Sequence, residues 1–201
     1  MLSASGVILA YLMGSFPSAY LAGRYVQGID IRRHGSGNMG TMNTREVLGW
    51  RWATAVFVVD FLKGILAVSL SPWCGAAPLL LASAAAAGHC YPVWLRFRGG
   101  KALATALGAL ATIGDFWFIV IFAAGWTLML VYYRLKSFTA SRNSSITPPD
   151  QDLFSDRANI MGIAVLMISA LLAGPDWWLV LLTGIIMSRL IQSLLTQLTG
   201  W

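Results

Sequence analysis

Two glycine-rich stretches carry residues whose types and spacing suit phosphate chemistry. The first is His34-Gly35-Ser36-Gly37-Asn38-Met39-Gly40-Thr41-Met42-Asn43-Thr44-Arg45. Gly35, Gly37 and Gly40, interleaved with Ser36 and Asn38, let the backbone curl so that several N–H groups point at one spot, an anion nest to which nearby arginines add charge. On its own, such a stretch reads as an ordinary interhelical connection. The second stretch changes that reading. Arg98-Gly99-Gly100-Lys101-Ala102 sets two glycines before a lysine at the start of an expected helix. Free N–H groups and the positive dipole end of a helix N-terminus bind phosphate, and the lysine adds a point charge. A nucleotide-binding loop is not indicated, because no Gly-x4-Gly-Lys-Ser/Thr follows a strand.

Further candidates lie within apolar sequence. Asp60 and Lys63 are three apart on an expected helix, share a face and can neutralise each other, as a structural ion pair or as functional charges. His89 precedes Cys90-Tyr91-Pro92 close to the Lys101 loop, and reads either as a hydrogen-bonded structural residue or as a base. His34 and His89 are the two histidines of the chain, a poor set for a metal site. Cys74 and Cys90 read as small buried hydrophobes without a disulfide framework.

The elements that must position these residues follow from composition. Hydrophobic residues make up 57% of the 201 and charged residues 11%, where a soluble domain carries about a quarter charged. So little charge on so much apolar surface calls for lipid as the solvent. Nine tryptophans suit membrane–water interfaces. The basic residues sit between spans rather than on one polar face, which argues against nucleic-acid binding. The segment after Met1 lacks a basic leader region and reads as a mature span.

Apolar runs predict a single polytopic all-α membrane domain, residues 1–201, of about seven helices. The expected spans are about Leu2–Ala22, Trp52–Leu70, Pro78–Leu95, a run Ala102–Tyr133 divided at Gly114-Asp115, Ala158–Ala173 and Trp177–Leu198. Polar loops are expected at Gly23–Arg51, Arg96–Lys101 and, as a polar insert, Arg134–Arg157. With the N-terminus outside, the inner segments collect Arg24, Arg32, Arg33, Arg45, Arg51, Arg96, Arg98, Lys101, Arg134, Lys136, Arg142, Arg157 and Arg189, while the outer turns carry Asp115 and Asp176. That is the positive-inside pattern, and it brings both glycine-rich loops to the cytoplasmic face. Two phosphate-type loops on one inner face suggest a site for a phosphorylated cytosolic substrate.

An ordered set of motifs resembles the bacterial acyl-phosphate–glycerol-3-phosphate acyltransferases. The set is Gly14-Ser15-Phe16-Pro17 with Gly23-Arg24, Asp30-Ile31-Arg32, Gly35-Ser36-Gly37-Asn38-x-Gly40 with Asn43, Asp60-Phe61-Leu62-Lys63-Gly64, Gly88-His89-x-x-Pro92, and Phe97-Arg98-Gly99-Gly100-Lys101 with Ala104-Thr105. It covers about the first 110 residues. The resemblance implies a seven-helix enzyme of the bacterial inner membrane, multi-pass and in contact with membrane lipid. Such an enzyme transfers a fatty acyl group from acyl-phosphate to the 1-hydroxyl of sn-glycerol 3-phosphate, yields lysophosphatidic acid and needs no cofactor. It implies Ser36, Asn38, His89 and Lys101 as catalytic residues. Gly35, Gly37, Gly40, Asn43, Arg45, Gly99, Gly100, Ser137 and Arg189 are implied as the substrate- and phosphate-binding set.

The chain departs from the pattern at four places. Met42 stands at a threonine position, Glu46 at an arginine position with Arg45 displaced by one, Ala102 at a glycine, and Leu190 in a last segment that keeps Arg189 and Gly200. A carboxylate where a cation is expected reverses the local charge. The Glu46 and Leu190 changes motivate an alternative, a divergent paralogue that is inactive or takes another acceptor. A small transporter built around Asp60–Lys63 is a further reading, although no repeat with broken mid-membrane helices is visible.

Overall fold

The computed structural model describes residues 2–114, Val120, 184–189 and Ile191, and every regular element among them is helical. The elements are α1 (Leu2–Gly14), α2 (Ser18–Gln27), α3 (Thr41–Leu48), α4 (Trp50–Val68), α5 (Ser71–Cys74), α6 (Pro78–Cys90) and α7 (Leu103–Ile113), with 3₁₀ turns at Ile31–Arg33 and Val93–Leu95. Of the expected spans beyond Gly114, Val120, residues 184–189 and Ile191 are described; the Ala158–Ala173 span, the 134–157 insert, Ser137 and Leu190 lie outside the described residues.

The polarity of α4 is inverted relative to a helix in water. Its exposed positions include Phe57, Val58, Leu62 and Leu66, whereas Asp60 and Lys63 are only 1% and 5% exposed. An apolar exterior around a buried ion pair is the arrangement that a lipid solvent selects. The stretches Ser3–Gln27 and Trp50–Cys74 are each long and apolar enough to cross a bilayer.

Small residues bring the helices together. A side chain at Gly14 would strike the Ala85 carbonyl, and one at Gly88 the Tyr11 carbonyl, so α1 and α6 approach backbone to backbone. Gly64 against the Thr105 carbonyl and Gly108 against the Phe61 carbonyl do the same for α4 and α7. Between apolar helices in lipid, such close van der Waals packing replaces the hydrophobic effect as the source of association. One core cluster joins Val68, Ala82, Ala86, Cys90, Ala106, Ala109 and Leu110 with Ile186 of the 184–189 helix. Cys90 is fully buried there, and Cys74 is half-buried; both are free thiols.

The structure corrects two expectations. The first apolar segment is not one helix through Ala22: it breaks at Ser15-Phe16-Pro17 and resumes as α2, which continues to Gln27 and ends on Gly28 at φ 70°. Pro17 lacks an N–H, which removes a rung of the helical ladder. The Met13 carbonyl accepts the Phe16 N–H at 3.3 Å instead, and the Phe16 carbonyl, turned out of the ladder, accepts a hydrogen bond from Lys63 Nζ at 2.5 Å. Second, Gly23–Arg51 is not an open polar loop, since α3 occupies Thr41–Leu48 and α4 begins at Trp50. The expected division of the long apolar run at Gly114 agrees with α7, which ends there on a left-handed glycine at φ 82°.

Candidate active site

The first glycine-rich loop starts from a polar anchor. The Asp30 carboxylate accepts from the Arg32 backbone N–H at 3.1 Å and from its guanidinium at 2.7 and 3.0 Å. The Arg32 hydrogen bond lowers the Asp30 pKa below the usual carboxylate value, against the opposing effect of burial. The same guanidinium donates to the Leu95 carbonyl at 3.3 Å, which ties the first loop to the second. Arg24 and Arg32 both lie against the Tyr20 ring, at 5.4 and 5.3 Å from its centroid.

Asn43 sets the loop's shape from within. Its side-chain oxygen accepts the Ser36 N–H at 2.9 Å, and its amide nitrogen donates to the carbonyls of Ile31 at 3.1 Å and Asn38 at 2.9 Å. Gly35 and Gly37 take the left-handed values φ 55° and 70° that allow the curl. The Gly37 N–H donates to the His34 carbonyl at 3.1 Å. The N–H groups of Ser36 and Gly37 are therefore engaged within the loop. The loop also offers side chains: among the described residues, the Ser36 hydroxyl and the Asn38 amide make no hydrogen bond. Asn43 acts as the staple beneath them. Gly40 opens α3 in an extended conformation, and its carbonyl accepts from the Thr44 N–H and hydroxyl, both at 3.0 Å.

Helical geometry separates the two residues at the departure from the expected pattern. Arg45 lies over the Trp50 ring at 5.0 Å. Glu46, three residues after Asn43 and on its face, brings its carboxylate against Gly35, where a built side-chain carbon would sit 3.1 Å from Oε2. The cation expected beside the loop thus stacks on an aromatic ring, and the anion faces the loop.

The second loop folds back on the end of α6. Arg96 and Phe97 adopt left-handed φ values of 54° and 62°, and the Phe97 N–H donates to the Pro92 carbonyl at 3.0 Å. This turn returns the chain so that the Gly99 N–H reaches the Cys90 carbonyl at 3.0 Å and the Gly100 N–H the His89 carbonyl at 3.1 Å. Gly100 is enclosed: a side chain there would collide with His89 Nε2 and sit 2.5 Å from the Met39 carbonyl. The two glycine-rich loops, separate in sequence, meet at that residue. Lys101 follows it, and Ala102 caps α7 without a side-chain hydrogen bond, leaving the helix N-terminus open beside the lysine. Ala102 holds φ 59°, a conformation natural to the glycine expected there.

Arg189 joins this loop from far along the chain. Its guanidinium donates to the Gly99 carbonyl at 2.6 Å and stacks on Tyr91 at 5.1 Å from the ring centroid. Tyr91 in turn is 2.9 Å from the Ser188 hydroxyl and receives the Tyr11 hydroxyl on its carbonyl at 2.7 Å. His89 is 7% exposed, with its Nδ1 3.3 Å from the Thr105 hydroxyl and 3.8 Å from Asp60 Oδ1. Asp60 Oδ1 also accepts from Lys63 at 2.6 Å and Ser18 at 2.5 Å. Sequence reasoning singled out Asp60, Lys63 and His89 but did not connect them, and it gave no role to Ser18, Thr105 or Tyr91. A polar Ser18 directly after Pro17 in apolar sequence was the available signal for the first of these.

Comparison with known proteins identifies the family. The sequence family described as glycerol-3-phosphate acyltransferase matches residues 4–196. A glycerol-3-phosphate acyltransferase of Synechococcus elongatus is 45% identical over 141 residues, 65% of this chain and 67% of the relative. One from Geobacillus kaustophilus is 44% identical over 139 residues, 67% of this chain and 71% of the relative. The fold is similar to the crystal structure of PlsY (YgiH), an integral membrane glycerol 3-phosphate acyltransferase, in its glycerol 3-phosphate form. The TM-score is 0.74 and the identity 26%, over 98% of this chain and 92% of that one. Its lysophosphatidic acid form matches with a TM-score of 0.68 at 25% identity over the same shares. The chain belongs to the glycerol-3-phosphate acyltransferase family, as a membrane enzyme whose regular elements among the described residues are all helical.

Proposed function

We propose that this acyltransferase takes its acyl group from acyl-phosphate and that the chemistry occurs where the two glycine-rich loops meet. The observation that supports the reading is the enclosure of Gly100, one residue before Lys101, between the Met39 carbonyl, one residue after Asn38, and the His89 ring. The 1-hydroxyl of glycerol 3-phosphate attacks the acyl carbon, an ester bond forms, and the carbon–oxygen bond to phosphate breaks. The hydroxyl proton passes to a phosphate oxygen of the acceptor, and inorganic phosphate leaves. The donor is already activated, so catalysis consists of positioning and charge stabilisation.

In this reading the Ser36 hydroxyl and Asn38 amide hold a phosphate or the developing oxyanion, and Lys101 offsets charge on the departing phosphate. His89 sits behind Gly100 and orients the loop. Gly35, Gly37, Gly40, Asn43, Gly99 and Gly100 shape the two walls, and Arg189 fastens the second. Arg45 and Ser137 complete the substrate-binding set by resemblance. About seven spans, the N-terminus outside and the loops on the cytoplasmic side of a bacterial cell membrane are the topology that the positive-inside pattern supports.

The test is to supply the purified protein with acyl-phosphate and glycerol 3-phosphate and to follow phosphate release together with lysophosphatidic acid. The expected result is stoichiometric release, reduced about 100-fold or more in Lys101→Ala. Undiminished transfer by that variant removes Lys101 from the site. A folded wild-type protein that transfers nothing favours the paralogue reading, which Glu46 motivates.

A further inference from the structure

The buried charges of α4 are aimed at the second loop. Three groups from three helices converge on one atom, Asp60 Oδ1: the Ser18 hydroxyl of α2 at 2.5 Å, Lys63 Nζ of α4 at 2.6 Å and His89 Nδ1 of α6 at 3.8 Å. The hydroxyl of Thr105, on α7, stands 3.3 Å from the same His89 nitrogen. The opposite nitrogen of the ring, Nε2, fills the space that a side chain on Gly100 would take. A continuous line of contacts thus runs from Asp60 through His89 to the loop that carries Lys101.

We propose that Asp60 is a positioning residue for acyl transfer, which acts by fixing His89 in the tautomer with its proton on Nδ1. The inference rests on the assignment of the Gly99–Lys101 loop to the active site. A carboxylate beside Nδ1 attracts an N–H and repels a lone pair, and Thr105 Oγ1 lies within reach to accept that N–H. The other tautomer turns a lone pair toward the Asp60 carboxylate, 3.8 Å away, and removes the N–H that Thr105 Oγ1 is placed to accept. With the proton on Nδ1, the bare Nε2 edge packs closely against the glycine, and the His89 carbonyl holds the Gly100 N–H at the same time. Lys63 and Ser18 keep Oδ1 in place, and Lys63 compensates its charge. Among the described residues, the charged groups facing His89 are Asp60 and Lys63 from α4 and Arg189 from the 184–189 helix.

With only two histidines in the chain, the tautomer is directly readable. In full-length protein carrying ¹⁵N-histidine and His34→Asn, the remaining ring is expected to give a protonated Nδ1 and an unprotonated Nε2 signal. Asp60→Asn is expected to shift the ring toward the Nε2–H form and to lower kcat about tenfold or more, with a smaller change in KM for glycerol 3-phosphate. Thr105→Val keeps the ion pair, guards against a folding failure of the first variant and is expected to shift the ring in the same direction. His89→Asn, whose amide nitrogen stands near the Nδ1 position, is expected to retain more activity than His89→Gln. An Nε2–H ring in the otherwise unaltered protein, or an unchanged ring in both variants, overturns the proposal. A tautomer shift with unaltered kcat overturns the positioning role. The spectra need no substrate, so this outcome is separate from that of Lys101→Ala, which tests the site itself.

Discussion

His89 holds Gly100 twice, accepting its N–H on the backbone carbonyl at 3.1 Å and packing the imidazole edge where a glycine side chain would be. Gly100→Ala therefore has no room on either side: the added carbon meets the His89 ring on one face and the Met39 carbonyl on the other. The loop must shift, and a displacement of about 1 Å at a positioning element costs about 100-fold in rate. Acyl transfer by Gly100→Ala is expected to fall by that order while the helical circular dichroism of the protein is retained. Wild-type rates in this variant would show that the loop contact is not part of the active geometry.

Glu46 turns its carboxylate toward Gly35, and a phosphate approaching that loop meets a like charge. Glu46→Arg replaces repulsion by attraction at a solvent-exposed position, worth about 1 kcal/mol, or about a fivefold lower KM for glycerol 3-phosphate. The effect should shrink as salt is raised, because exposed charges are screened. Steady-state kinetics at two ionic strengths check both statements, and a raised KM would count against placing phosphate beside this loop.

Ala102 occupies a left-handed conformation at φ 59°. An L-residue there costs about 1–2 kcal/mol, while losing the buried methyl group costs about 0.8 kcal/mol. Ala102→Gly is expected to stabilise the protein by up to about 1 kcal/mol, seen as a higher midpoint of thermal unfolding in detergent. A lower midpoint would mean that the methyl group's packing outweighs the backbone strain.

The Asp30–Arg32 pair gives a pH dependence of known sign. The folded-state pKa of Asp30 is lowered by its Arg32 hydrogen bond, so the ionised carboxylate is the form that the fold favours. Its contribution is fully present above the ordinary value of 3.8 and is lost as pH falls through the lower, folded value. Wild-type protein should exceed Asp30→Asn in stability by a constant margin between about pH 6 and 8, and the margin should close as the pH drops below about 4. Thermal unfolding across that range measures it; a margin that widens on acidification would contradict the sign.

Much of this protein follows from its sequence because lipid is an undemanding reader of pattern. The scarcity of charge requires a membrane, the apolar run from Trp52 requires a span that α4 supplies, and Gly114 ends α7 where the expected division falls. The candidates Ser36, Asn38, His89 and Lys101 were named from residue type and from resemblance. Their relations were not. That Asn43 and not a phosphate takes the Ser36 N–H, or that Arg45 stacks on Trp50 while Glu46 faces Gly35, depends on where helix α3 sits and how it is rotated.

Periodicity fixes which residues share a helix face, but it is blind to what that face meets. The residue types and their order alone determined the solvent, the apolar run that becomes α4, the end of α7 at Gly114 and the two glycine-rich loops, but not the break before α2 or the helix α3. Only the tertiary structure decided that these loops close on one another at Gly100 and that Ser18, Asp60, Lys63, His89 and Thr105 form one buried cluster behind them. Those contacts join residues tens of positions apart, and their geometry is set by helix packing through Gly14, Gly64, Gly88 and Gly108. Packing of that kind is a property of surfaces in three dimensions, which no local reading of the chain contains.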